Sequence, residues 1–185
     1  IDVETKRGTR DAAVLLFGFA AGLRRADLVA LDLADLEFTD RGVLVRVGRN
    51  RREKNDQAGK GRDIPIFHGA RRETCPVLAV QRWLSFRSRE PGPLFTRCDP
   101  GAPELARLSA HAVRLIVRRA ADAIGLEPAS YGAHSLRAGM ITACAAGGAS
   151  DSTIMQRSGH ASVEMVRRYR RHADLFYDNP LVGAL

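Results

Sequence analysis

The chain has 185 residues, 45% of them hydrophobic, and a formal net charge of +8. This length predicts one globular domain with a core of its own. No apolar run approaches the roughly 18–20 residues that a membrane span needs, so we expect no membrane partner. The excess of basic groups favours a surface that binds a polyanion, although a solvated basic surface would give the same net charge.

The first forty residues predict two helices. Residues 9–21 contain a dense apolar run that Thr9 can cap, which is typical of a buried helix. Gly22 interrupts this run, and a short second helix is expected over residues 26–31. The chain therefore turns sharply between two helices, at Leu23-Arg24-Arg25.

Three short segments predict a small antiparallel β-sheet. Residues 43–47 and 62–66 are rich in β-branched side chains and alternate in part, and residues 36–38 add a third, shorter strand. Pro65 limits the last strand to an edge or to a strand end, because proline donates no backbone hydrogen bond. A long polar loop, residues 48–61, joins the second and third strands.

Basic charge is concentrated around this loop. Residues 41–62 carry eight basic groups and two acids, whereas residues 27–40 carry five acids and no base. Two of the chain's three lysines, Lys54 and Lys60, lie in the loop itself. Such a distribution is expected of a surface that follows a phosphate backbone.

The remainder of the chain predicts mainly helices. They are expected over residues 75–87, 109–124, 134–146, 152–157 and 163–172. The fold class expected is thus mainly α with a small antiparallel β-sheet (α+β). The arginine-rich part of the second of these helices, residues 111–119, offers a second basic surface for a phosphate backbone or a groove.

The three cysteines favour a reduced, cytoplasmic setting. Cys75, Cys98 and Cys144 are odd in number and widely spaced, and no Cys-x-x-Cys pair is present. We therefore expect no zinc site.

The chemistry-bearing residues cluster in the last third of the chain. His134 and Arg137 lie three apart in a predicted helix, so they share one face, and a buried pair of this kind would need an anionic partner. His160 follows a glycine at a helix junction. Tyr169 is flanked by two arginines on each side, which favours its phenolate form and so a nucleophile. Taken singly, each would more often be a surface or core residue than a functional one.

In this order, the motifs resemble those of the tyrosine recombinases, the phage integrase family of DNA breaking and rejoining enzymes. Residues 22–28 resemble the stretch that carries the family's first catalytic arginine, and residues 51–57 resemble the turn that carries its lysine. His134-Ser135-Leu136-Arg137 and Gly159-His160 match two further motifs. The resemblance extends from about residue 9 to residue 177. The catalytic residues it implies are Arg24, Lys54, His134, Arg137, His160 and Tyr169.

The resemblance implies the DNA breaking-rejoining enzyme catalytic-domain fold for residues 1–185. It also implies a site-specific recombinase that forms a 3′-phosphotyrosine intermediate without metal, ATP or another cofactor. Tyr169 is the implied nucleophile and Lys54 the general acid for the 5′ oxygen. The remaining side chains would hold the non-bridging oxygens and assist proton transfer, namely Arg24, Arg137, His160 and His134.

Several assignments stay open. Lys60 competes with Lys54 because both lie in one loop, and Tyr131 and Tyr177 are rivals of Tyr169. Asp27 lies three residues after Arg24, so it either orients that guanidinium or simply favours a helix N-terminus. The alternative functions are a non-catalytic DNA-binding regulator on the same scaffold, a type IB topoisomerase-like nicking-closing enzyme, and a metal-dependent nuclease.

The domain organisation also follows from the resemblance. The sequence begins at Ile1 rather than at a methionine, so we expect a fragment that lacks the N-terminal core-binding domain of such enzymes. The tail, residues 173–185, either docks on a neighbouring subunit or packs on its own domain. The implied partners are double-stranded DNA and identical subunits in a tetrameric synapse, with a monomer as the alternative for the isolated fragment. The implied localisation is cytoplasmic and nucleoid-associated.

Overall fold

The computed structural model describes residues 1–48, 61–160 and 162–173. In this part of the chain, the α-helices are α1 (Lys6–Ala21), α2 (Arg25–Ala30), α3 (Pro76–Phe86), α4 (Ala110–Asp122), α5 (Ala133–Ala146), α6 (Asp151–Ser158) and α7 (Val163–Ala173). The strands are β1 (Leu36–Thr39), β2 (Gly42–Val47) and β3 (Arg62–Phe67). The predicted fold class, mainly α with a small antiparallel sheet, is confirmed.

The three strands form one antiparallel sheet in the order β1-β2-β3. Val45 pairs with Leu36 on one side and with Ile64 on the other. β3 lies at an edge of the sheet, which confirms the position predicted from Pro65. Alternate residues of β2 and β3 are buried, because side chains in a strand point to opposite faces and one face covers the core.

Helix α1 begins earlier than predicted. Its cap is Thr5, whose hydroxyl accepts a hydrogen bond from the Gly8 N–H at 3.1 Å, so the prediction of Thr9 as the cap is wrong. Thr9 is buried inside the helix, and its hydroxyl donates to the Val3 carbonyl at 2.7 Å. The first turn of α1 consists of polar residues and glycine, so the hydrophobic periodicity that predicts the rest of the helix does not include it.

Helix α4 starts as predicted and ends two residues early. The Ser109 hydroxyl accepts a hydrogen bond from the Ala112 N–H at 3.1 Å and caps the helix. The helix ends at Asp122, and Ile124, expected within it, is 73% exposed beyond its end. The glycine at 125, with φ 76°, lets the chain turn away there.

The apolar interior has two parts. The major core contains buried residues of α1 to α4 and of the sheet, centred on Phe17, Trp83 and Phe95. The minor core lies between α5, α6 and α7, and its buried members are Met140, Ile141, Ala145, Ile154 and Val166. None of the helices described above has the length and apolar character that a membrane crossing requires.

Candidate active site

Helix α5 carries the His-x-x-Arg motif at its first turns. The Ser135 hydroxyl accepts a hydrogen bond from the Gly132 N–H at 3.1 Å, which fixes the start of the helix. Arg137 is only 2% exposed, although it is one of the largest side chains in the protein. His134 is exposed at the open end of the first turn, so the expectation that both residues are buried holds for Arg137 alone.

Arg137 is anchored to the end of α1. Its Nη1 donates to the Gly22 carbonyl at 2.8 Å. Gly22 has φ 62°, and a Cβ atom at this position would lie 2.0 Å from the Met140 Cε, so glycine is required there. Two residues later, Arg24 precedes α2 and lines a cavity of about 420 Å³ together with His134 and Arg137.

Gly159, in the left-handed backbone conformation, directs the chain so that His160 lies in the site. Gly159 ends α6 with φ 67°, and its N–H donates to the Met155 carbonyl at 2.7 Å. His160 is 9% exposed; its Nε2 lies 3.1 Å from Arg137 Nη2, and its Nδ1 lies 2.8 Å from the Ser158 Oγ. Burial, followed by the positive charge of Arg137, lowers the pKa of His160 from 6.5 to about 4, so the imidazole is neutral at pH 7.

Helix α7 brings Tyr169 to the same place. Val166, one helical turn earlier, is fully buried in the minor core, and Tyr169 packs against that core from the same face. The Tyr169 hydroxyl oxygen lies 2.7 Å from His134 Nε2. Its ring centroid lies 6.3 Å from that of His134 and 6.2 Å from that of His160. One chain therefore brings the phenol, both imidazoles and Arg137 together.

Positive charge dominates the floor of the site. Burial, followed by the positive charges of Arg24 and Arg62, lowers the pKa of Arg137 to about 10, while Asp27 and Tyr169 act in the opposite direction. Arg137 still carries its charge at pH 7. Three guanidinium groups this close together favour the binding of an anion.

Sequence reasoning missed three residues that shape the site. Arg62 was counted only as part of the basic loop, yet a Cβ atom on Gly159 would lie 2.5 Å from its Nη1. Ser158 contacts His160 directly. Arg157 donates to the Ala20 carbonyl at 2.6 Å and to the Pro65 carbonyl at 3.2 Å, and so ties α6 to α1 and β3. Only their positions beside the Gly-His motif and at the start of β3 could have signalled them.

The proposed pairing of Asp27 with Arg24 does not form. In the part of the chain that the structure describes, no hydrogen bond or ion pair joins the two side chains, and Asp27 Oδ2 is buried without a hydrogen-bond partner.

Two arginines of the basic surface predicted on α4 contact other parts of the same chain. Arg118 donates to the Tyr131 carbonyl at 3.2 Å, and Arg119 contacts Asp11 at 3.0 Å.

Some predicted residues cannot be placed in this geometry. Lys54, Lys60 and Tyr177 lie outside the described residues, as does the whole of the tail after Ala173. Tyr131 precedes α5, and its hydroxyl makes no hydrogen bond to any described residue. Over residues 1–48, 61–160 and 162–173, no group of three or more His, Cys, Asp or Glu side chains is arranged to hold a metal ion.

Residues 2–175 match the model of the phage integrase family, and this match covers nearly the whole chain. The chain belongs to the phage integrase family. The match confirms the resemblance that the order of motifs predicted. It also covers all six positions named from the motifs, Arg24, Lys54, His134, Arg137, His160 and Tyr169.

Relatives of this phage integrase family member are themselves named as recombinases. The chain is 36% identical over 183 residues to an integrase/recombinase xerD homolog from Selenomonas ruminantium, with 97% of this chain and 52% of the relative covered. It is 31% identical to a tyrosine recombinase XerC from Bifidobacterium longum, with 89% of this chain and 44% of the relative covered. The chain thus spans about half the length of the curated relatives it matches.

Solved structures share the fold. A XerH site-specific recombinase, bound to a palindromic difH substrate after cleavage, superposes with a TM-score of 0.73 at 20% identity, with 94% of this chain and 45% of that one covered. A XerA recombinase superposes with a TM-score of 0.68 at 18% identity, with 94% and 58% covered. This family member therefore has the same fold as those recombinases.

Proposed function

We propose that this chain is the catalytic domain of a site-specific DNA recombinase that cuts and rejoins strands through a 3′-phosphotyrosine intermediate. The observation that carries the proposal is the 2.7 Å contact between the Tyr169 hydroxyl and His134 Nε2, beside Arg137 and His160. The names of the relatives, which are recombinases, point in the same direction.

The reaction begins with the phenol. Tyr169 attacks the phosphorus of the scissile phosphodiester, and a neutral His134 is placed to accept the phenolic proton because its Nε2 is within hydrogen-bonding distance. The bond between phosphorus and the 5′ oxygen breaks as the bond to the tyrosine oxygen forms. The ester conserves the energy of the broken bond, so attack by a different 5′ hydroxyl rejoins the strand.

The guanidinium groups stabilise the charge that develops on the phosphate. Arg24 and Arg137 flank the cavity beside His134, and a guanidinium can give two parallel hydrogen bonds to non-bridging oxygens. Because Arg137 is buried and held by the Gly22 carbonyl, it needs little reorganisation when the phosphate arrives. His160 adds a further hydrogen bond to the same oxygens.

The 5′ oxygen needs a proton as it leaves. Lys54 is the proposed general acid, and Lys60 is its rival, both being outside the described residues. A duplex whose scissile 5′ oxygen is replaced by sulfur separates them, since a thiolate leaves without protonation. We expect this substrate to restore cleavage to the Lys54→Ala variant, whereas Lys60→Ala should cleave both substrates like the unaltered protein. If the sulfur-substituted duplex restored cleavage to Lys60→Ala and not to Lys54→Ala, Lys60 would be the general acid in place of Lys54.

The partners proposed are double-stranded DNA and identical subunits in a tetramer assembled on it. The relatives are about twice as long, so a second domain that grips the other face of the DNA belongs to the proposed whole protein. Residues 173–185 are the proposed docking segment between subunits. We expect this chain alone to bind DNA weakly, with an affinity that falls steeply as salt increases.

Covalent trapping tests the proposal. The protein is incubated with a pool of duplexes of randomised sequence that carry the sulfur-substituted linkage, and the adduct is resolved on a denaturing gel. We expect an adduct that Tyr169→Phe abolishes and that Tyr131→Phe, the matched control, leaves unchanged. An adduct that survives Tyr169→Phe would remove the nucleophile from the proposal.

Three different outcomes would favour the other candidate functions. Failure to trap any adduct with a substrate that binds would favour a DNA-binding regulator. Relaxation of a supercoiled plasmid that lacks recombination sites would favour a type IB topoisomerase-like enzyme. Cleavage that stops on addition of EDTA would favour a nuclease that depends on a metal.

A further inference from the structure

A chain of buried hydrogen bonds links the backbone of α6 to the end of α1 through the site. The Ser158 Oγ lies 2.6 Å from the Ile154 carbonyl oxygen and 2.8 Å from His160 Nδ1. His160 Nε2 lies 3.1 Å from Arg137 Nη2, and Arg137 Nη1 lies 2.8 Å from the Gly22 carbonyl oxygen. Ser158 is fully buried, so water does not compete for its hydroxyl.

The chemistry of the two ends fixes the direction of every bond in this chain. A carbonyl oxygen only accepts, so the single Ser158 hydroxyl hydrogen is donated to Ile154, and Oγ must accept from His160 Nδ1–H. A guanidinium only donates, so His160 Nε2 must accept from Arg137. Both constraints select one neutral tautomer of His160, with its hydrogen on Nδ1.

This tautomer conflicts with the role that the proposed function gives to His160. A phosphate oxygen accepts hydrogen bonds, and an Nε2 that carries a lone pair has no hydrogen to donate to it. An exchange of tautomer would leave Nδ1 and the Ser158 Oγ facing each other without a hydrogen between them, since that hydroxyl already donates to Ile154. If Nε2 gains a proton, His160 can donate one hydrogen bond to the Ser158 Oγ from Nδ1 and another to the phosphate oxygen from Nε2.

We propose that Ser158 is a positioning residue that holds His160 as the Nδ1–H tautomer, so that binding of the scissile phosphate is coupled to uptake of one proton by His160. The proton comes from solvent and converts the imidazole to an imidazolium. The same event releases Arg137 Nη2 from Nε2, because a protonated Nε2 no longer accepts, and both groups then donate to the phosphate. This inference rests on the proposed function.

The charged groups around His160 determine how anion binding should depend on pH. His160 faces Arg137 and His134 on α5, Arg24 before α2, Arg62 on β3 and Tyr169 on α7. Without a ligand, burial and these cations hold the pKa of His160 near 4. A bound anion offsets the charge of these cations and raises that pKa, so affinity for the anion should increase as pH falls.

The tautomer is tested directly by nuclear magnetic resonance of protein labelled with ¹⁵N-histidine. We expect the unaltered protein to carry the hydrogen of His160 on Nδ1, and Ser158→Ala, in which only the contact with Arg137 still favours that tautomer, to populate the Nε2–H form in part. Ser158→Thr retains a hydroxyl and should restore the first pattern, and Ser152→Ala, which removes an exposed hydroxyl from α6, is the matched control. An Nε2–H form in the unaltered protein, or no change in Ser158→Ala, would overturn the assignment.

Proton uptake is tested with sulfate, which does not itself titrate between pH 5 and 8. We expect the unaltered protein and Ser152→Ala to bind sulfate about tenfold or more tightly at pH 5 than at pH 8, with the His160 titration midpoint rising when sulfate binds. Ser158→Ala should show a clearly smaller pH dependence. Equal pH dependence in all variants, or an unmoved midpoint, would overturn the coupling.

These readouts are independent of DNA cleavage. Should Tyr169 fail to form a covalent adduct, the proposed function would be wrong while the tautomer and the sulfate response still report on Ser158. Conversely, an adduct on Tyr169 together with an Nε2–H tautomer would retain the recombinase and reject the role of Ser158.

Discussion

The major core and the minor core contribute to the site in different ways. The major core gathers buried residues from α1 to α4, β2 and β3, and it supports Arg24 and Arg62 at its border. Among the described residues, the minor core has five buried members; the helices around it carry His134, Arg137 and Tyr169, and His160 follows the end of α6. The reactive groups therefore lie on the less extensively packed part of the molecule.

Polar contacts compensate for this difference in packing. Arg137 bonds to the Gly22 carbonyl at the end of α1, and Arg157 bonds to the carbonyls of Ala20 and Pro65. These bonds attach α5 and α6 to the elements of the major core. The position of the site therefore depends on hydrogen bonds from arginines to backbone carbonyls as much as on apolar contacts, because hydrogen bonds fix orientation where a small core cannot.

The largest expected effect comes from the buried arginine that joins the two regions. Replacement of Arg137 by alanine removes both a proposed phosphate ligand and the link to Gly22, and we expect adduct formation to slow by roughly 10³-fold or more. The rate is measured by covalent trapping, with circular dichroism as the check on folding.

Two variants sharpen this result. Arg137→Lys keeps the charge but loses the second hydrogen-bonding arm, and we expect it to recover only part of the rate. Arg97→Ala removes an exposed arginine that pairs with Asp99 outside the site, and should leave the rate unchanged. Full activity in Arg137→Lys would show that charge alone is needed there.

A second prediction concerns the pH dependence of stability that His160, on the minor-core side of the site, produces. The unfolded imidazole of His160 titrates near 6.5 and the folded one near 4, so the unfolded state takes up the proton first as pH falls. The stabilisation is complete above pH 6.5 and is lost as pH falls toward 4, by roughly 2–3 kcal/mol in the free energy of unfolding. Urea denaturation at pH 7, 5.5 and 4.5 measures it.

His160→Gln is the control for this pH effect. It lacks the titrating group, so its stability should fall less over the same range, while the other histidines titrate in both proteins. Parallel pH dependence in the two proteins would refute the depressed pKa.

A third prediction compares the two cores directly. Val80 and Val166 are both fully buried, the first in the major core and the second in the minor core. Val80→Ala should lower the free energy of unfolding by roughly 2 kcal/mol. Val166→Ala should change that global value less but increase hydrogen exchange in α7 and slow adduct formation, because the last helix can open locally.

Urea denaturation and hydrogen exchange by mass spectrometry measure the two effects. If both variants change global stability equally and leave exchange in α7 untouched, the two cores unfold as one cooperative unit, and the distinction between them is wrong.

The smallest expected effect concerns helix starts in the two regions. Ser109 and Ser135 each accept a backbone hydrogen bond at 3.1 Å, at the start of α4 and of α5. Replacing either by alanine should cost about 0.5–1 kcal/mol of stability in thermal or urea unfolding. Only Ser135→Ala should also slow cleavage, since His134 lies in the turn that Ser135 fixes. Equal cleavage rates in both variants would mean that this turn does not position His134.

The family and the fold class could be predicted from the amino-acid sequence alone, and the candidate site residues could be named from it. Periodicity and β-branched runs predicted the helices and the three strands, and the order of motifs from Arg24 to Tyr169 identified the phage integrase family, because local propensity and chemical spacing are readable along a chain. Errors fell where local signals are weak, as at Thr5, whose polar helical turn has no apolar pattern, and at Ile124, which lies past the end of its helix.

Which of these groups contact one another follows from the folded arrangement and not from the order of residues. The contact between His134 and Tyr169, the approach of Arg62 to Gly159 and the hydrogen-bonded chain through Ser158 join residues on different elements. Their distances depend on how α5, α6 and α7 pack against one another and against the sheet. The protonation of His160 depends on the same packing, because burial and neighbouring charge, not residue identity, set its pKa.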